Sequence, residues 1–70
     1  MKQGDKIIVT VSGKEGLIVA TKEIPWKKTK DVYGRKEVFA ENKDFLILYK
    51  KDNTTYLGSD EVWEHEIEKI

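Results

Sequence analysis

Two aromatic rings stand among five cations in one short segment of this 70-residue chain: Trp26, Lys27, Lys28, Lys30, Tyr33, Arg35 and Lys36. These residue types at this spacing could contact single-stranded nucleic acid, with the cations neutralising phosphates and an exposed ring stacking on a base. In the alternative arrangement Trp26 and Tyr33 fold back to cap one end of a small core and the lysines remain in water. Asp31 interrupts the basic run, and burying a large side chain is worth roughly 1.5–3 kcal/mol. The folded-back rings are therefore the favoured expectation.

Metal and acid–base chemistry have less to draw on. His65 is the single histidine, flanked by Glu64 and Glu66 with Glu68 beyond, and cysteine is absent. One imidazole without thiolates makes no tetrahedral zinc set, and adjacent residues on a strand point to opposite faces. These groups read as solvated surface charge. Asp60 and Glu61 fit the first turn of a helical segment begun by Ser59, where acids favour the helix dipole, better than a general acid and base pair. No serine or threonine has a paired base in a recognisable arrangement, and neither a calcium loop nor a glycine-rich phosphate loop is present. No catalytic, metal or cofactor-binding residue is expected, no cofactor is implied, and the chain does not read as an enzyme.

The elements that would position the basic segment follow from apolar alternation. Ile7, Val9 and Val11 alternate with Ile8 and Thr10, and Leu17 to Ile24 repeats the pattern. Gly13 and Gly16 sit between the two runs, where a short hairpin loop needs backbone freedom. Pro25 ends the second strand and opens the longest loop, residues 25–35, which lacks clean periodicity. Lys36 to Glu41 resumes a strand, with Val38 and Ala40 opposite Glu37, Phe39 and Glu41. Phe45-Leu46-Ile47-Leu48-Tyr49 is apolar on both faces, as in a central strand covered on both sides or one whose outer face meets a partner. Thr54 to Gly58 follows a polar turn as a further strand. A helical turn over residues 59–62 and a short closing strand complete the chain, with a terminal helix carrying Trp63, Ile67 and Ile70 on one stripe as the alternative.

Seventy residues make one domain, 1–70, with one modest core and no disulfide to brace it. The expected fold is all-β: a small five-stranded antiparallel barrel or rolled sheet with one short helical turn before the last strand. No apolar run approaches the roughly 20 residues that span a bilayer, and no leader pattern opens the chain, so a cytoplasmic protein without membrane contact is expected. Thirteen basic and thirteen acidic side chains cancel, but unevenly. Residues 1–58 carry 12 basic and 8 acidic groups, whereas residues 59–70 carry 1 and 5.

The segment Gly4-Asp5-Lys6-Ile7-Ile8-Val9-Thr10-Val11-Ser12-Gly13-Lys14, followed by Gly16-Leu17-Ile18-Val19, resembles the KOW-type hairpin of small Src-homology-like barrels in ribosomal and transcription-elongation proteins. The resemblance covers the N-terminal quarter of the chain and implies a barrel with a helical turn before its closing strand. Glu15 stands where that family commonly has a basic residue, and the chain as a whole is neutral.

Balanced charge and the two-sided strand at residues 45–49 point to a non-enzymatic small β-barrel interaction module that binds protein or associates with itself. The acidic tail is a second candidate docking element through Trp63, Ile67 and Ile70, but the favoured expectation is that Val62, Trp63 and Ile67 close the barrel internally against Ile7 or Ile8. The alternative is a nucleic-acid-binding barrel using the Trp- and Lys-rich loop 25–36. No small-molecule substrate is evident.

Overall fold

A computed structural model describes residues 1–31, 34–52 and 55–70, with side chains left aside at 28–31 and 34–36. The chain is all-β. Strands β1 (Lys6–Val9), β2 (Glu15–Thr21), β5 (Phe45–Lys50), β6 (Tyr56–Val62) and β7 (Ile67–Lys69) form one antiparallel sheet in the order β6-β5-β2-β1-β7. Strands β3 (Trp26–Asp31) and β4 (Gly34–Val38) form a separate two-stranded sheet, and a 3-10 turn, Glu64–Glu66, precedes β7. Both edge strands of the main sheet, β6 and β7, lack a second ladder partner among the described residues. No helix among the described residues is long and apolar enough to cross a membrane.

The opening hairpin forms as the alternation predicts, with Ile7 opposite Gly16 and Lys6 opposite Leu17. Its turn is longer than expected, because Val9 and Lys14 close the loop with a 2.8 Å bond from the Val9 amide to the Lys14 carbonyl. Thr10 and Val11 therefore leave the strand, and Val11 is exposed. Gly13 has φ +72° and its amide donates to the Val9 carbonyl at 2.7 Å, a conformation that other L-residues adopt at a cost. Strand β2 ends at Thr21, whose hydroxyl accepts the amides of Glu23 and Ile24 at 3.2 and 3.0 Å and turns the chain before Pro25.

Residues 25–35, expected as an irregular loop, instead contain most of a β-hairpin. Trp26 pairs with Val38, Lys27 with Glu37 and Lys28 with Lys36, with an irregularity before Asp31. Periodicity is missing from this stretch because the ladder, rather than an alternating apolar face, holds a largely polar pair of strands together. The strand expected at Lys36 to Glu41 ends early at Val38. Ala40 nevertheless reaches the core, with its amide donating to the Thr21 carbonyl at 3.1 Å.

The C-terminal expectation also changes. Ser59 to Val62 is strand, with Ser59, Asp60, Glu61 and Val62 opposite Leu48, Ile47, Leu46 and Phe45. Four ladder positions against the most apolar strand override the capping signal at Ser59, and the turn of helix moves to Glu64–Glu66. The closing strand is present and pairs with β1 through Val9 opposite Ile67. No terminal helix forms among residues 59–70.

The main sheet is apolar on both faces, and β5 supplies both. Ile7, Val9, Ile18, Phe45, Ile47, Val62 and Ile67 form one cluster, with Tyr49 packed against it. Val19, Ala20, Ala40 and Leu46 form the second, with Leu17, Trp26, Val38 and Leu48 packed against it. The outer face of β5 thus meets the β3–β4 hairpin of its own chain. Gly16 lets β2 approach β5 closely, because a Cβ there would lie 2.9 Å from the Leu48 carbonyl oxygen. Gly16→Ala is expected to cost about 1–3 kcal/mol in urea unfolding, whereas Gly58→Ala, with open space around its Cβ position, is expected to change stability by under about 0.5 kcal/mol.

Candidate functional site

The hairpin carries the basic segment, and its best-defined member is Trp26. The indole is half-buried and packs against the second cluster, so it caps the sheet rather than standing free for a base. Gln3 secures the hairpin base from the opposite end of the sequence: its Nε2 donates to the Val19 carbonyl at 2.8 Å and the Pro25 carbonyl at 3.0 Å. Nothing in the local pattern marks Gln3 for this role. Lys27 is exposed. Lys28 and Lys30 lie on β3, and Arg35 and Lys36 on β4. Tyr33 lies outside the described residues.

The acidic C-terminal residues are largely turn clamps. A carboxylate accepts backbone amides well because both oxygens carry lone pairs and charge assistance strengthens the bond. Glu61 Oε1 accepts the amides of Asn42 and Lys43 at 2.7 and 3.0 Å, fixing the 40–44 turn from β6. Asp44 Oδ2 accepts the Glu64 amide at 2.8 Å, and Glu66 Oε1 accepts the Trp63 amide at 2.9 Å. The Glu61 carboxyl is held below the usual glutamate range, first by the Lys43 amide and then by the Asn42 amide. Tyr49 donates its hydroxyl to Asp60 at 3.0 Å, and desolvation followed by that carboxylate pushes the phenol up, so it stays a donor.

Trp63 departs from the expectation that it closes the core. Val62 and Ile67 enter the first cluster beside Ile7, while Trp63 between them stays 38% exposed. His65 lies in the 3-10 turn and is exposed. Among the described residues no group of three or more His, Asp or Glu side chains could hold a metal ion.

Sequence reasoning did not single out β6, which has a free side. From Tyr56 to Asp60 every residue is exposed, and the ladder to β5 slips by one residue at Leu57 and Gly58. Leu57 is 69% exposed. A groove of about 280 Å³ begins at Tyr56 and is lined by Lys6, Glu15, Gly16, Lys50 and Ile70. The Lys50 ammonium lies 3.2 Å from Glu15 Oε2, and Lys14 Nζ lies 5.7 Å from the Tyr49 ring centre. Such exposed pairs contribute little to stability, on the order of 0–1 kcal/mol. The strand expected at Thr54 to Gly58 overlaps the start of β6, but edge position depends on topology.

No protein-family model, curated protein or solved structure matches this chain.

Trp26→Ala is expected to destabilise the fold by roughly 2 kcal/mol, below the cost at a fully buried indole, as measured by chemical unfolding. For Glu61, a depressed folded pKa means that its stabilisation is present above the unfolded glutamate range and is lost as pH falls through the lower folded value. The unfolding free energy of Glu61→Gln should therefore fall less than that of the wild type across that acid window, checked by urea titrations at stepped pH.

Proposed function

We propose that this chain is a non-enzymatic interaction module, built as a small Src-homology-like barrel, that docks a protein partner on the free side of β6. The carrying observation is the edge itself. Seven residues of strand present a row of backbone donors and acceptors on one side, and five of them are exposed. An extended segment added there gains main-chain hydrogen bonds, while side-chain pockets supply selectivity. The strand order β6-β5-β2-β1-β7 and the turn before β7 support the barrel reading, because residues from all five strands share one cluster. The outer face of β5, which first motivated a partner, is covered by the hairpin and is not the docking surface proposed here.

Nucleic-acid binding through Trp26, Lys27, Lys28, Lys30, Tyr33, Arg35 and Lys36 is the second reading. It is supported by the exposure of Lys27 and the basic composition of the hairpin. The packing of Trp26 against the core removes one stacking ring from it.

Selecting random extended peptides against the full chain should yield binders whose backbone-amide shifts map to Tyr56–Val62. A Leu57→Pro variant that stays folded should lose them, because proline removes a donor from the edge. Selected peptides that shift other strands, or none selected at all, would refute docking on β6. Oligothymidine retention at low salt, declining steeply as salt rises, would instead favour the hairpin.

A further inference from the structure

We propose that the segment docked on β6 is basic, placing lysine or arginine beside Asp60 and Glu61. This rests on the β6 docking proposed above and adds the chemistry of the partner.

The edge strand itself is acidic: β6 contains Asp60 and Glu61 and neither lysine nor arginine. These two residues are adjacent, so they project to opposite faces of the sheet. Their hydrogen bonds to Tyr49, Asn42 and Lys43 hold these carboxylates in place without cancelling their charge. An incoming strand lies about 4.8 Å from β6, which brings its cross-strand side chains within reach of both acids.

The same charges argue against a second copy pairing β6 with β6. Antiparallel association of two such edges would bring four carboxylates together, and like charges facing one another across strands are unfavourable. The slipped ladder at Leu57 and Gly58 adds a further obstacle to continuous self-pairing. A lysine-bearing strand reverses the sign of the first effect. The partner is therefore an extended segment that carries lysine or arginine.

The test is a titration of the ¹⁵N-labelled full chain with three blocked seven-residue peptides that alternate valine with lysine, threonine or glutamate. The lysine peptide should move the Tyr56–Val62 amides and bind roughly tenfold more tightly than the threonine peptide. That preference should shrink when salt is raised from about 0.05 to 0.5 M. Asp60→Asn keeps an acceptor for Tyr49 and should remove most of the preference while leaving the rest of the spectrum unchanged. Equal binding of the lysine and threonine peptides at β6 would overturn the charge inference and leave β6 docking intact. No response from any of the three, or shifts outside β6, would overturn the inference, with β6 docking then judged by the peptide selection alone. Concentration-dependent β6 shifts without peptide would overturn it in favour of a second copy.

Discussion

Burial of β5 on both faces is the constraint from which the other arrangements follow. Phe45 and Ile47 enter one apolar cluster, and Leu46 enters the other with Leu48 packed against it. A strand of this kind cannot lie at the surface of a two-layer fold unless something covers its outer side. The chain covers it with its own β3–β4 hairpin, held by Trp26, Val38 and Ala40. On the inner side, the neighbouring strands supply Ile7, Ile18, Val62 and Ile67. Gly16 is the local condition for this arrangement, because β2 and β5 come too close for a side chain at that position.

With β5 an interior strand paired to β2 on one side, β6 is its partner on the other and becomes an edge. That assignment sets the character of the acidic C-terminal region. In sequence the region is a charge counterweight to a basic body. In the fold, Glu61 and Glu66, with Asp44 from the turn before β5, hold backbone amides at turns, while Asp60 and Glu61 place negative charge on the edge strand. Glu61 alone belongs to both groups.

Trp26 illustrates how a functional motif and a structural one share the same letters. An indole among lysines is the composition of a stacking site, and here the residue packs against the cluster of Val19, Ala20, Ala40 and Leu46. Trp63 has the reverse history. Its apolar character and its position between Val62 and Ile67 imply burial, yet the tight turn at Glu64–Glu66 leaves it partly outside while both neighbours go in.

The all-β class, the opening hairpin, the two-sided strand at residues 45–49 and the closing strand are legible in the chain, because each is written in short-range alternation and turn chemistry. Tertiary structure decided the rest. The hairpin at residues 26–38 has no apolar period to announce it, and the helical signal at Ser59 gives way to four ladder positions on β5. Which strand is an edge, which aromatic ring is covered and which carboxylates meet distant amides all depend on pairing between residues far apart in the chain. Local propensities of a few tenths of a kcal/mol cannot outweigh a shared core and a completed ladder, each worth several times more.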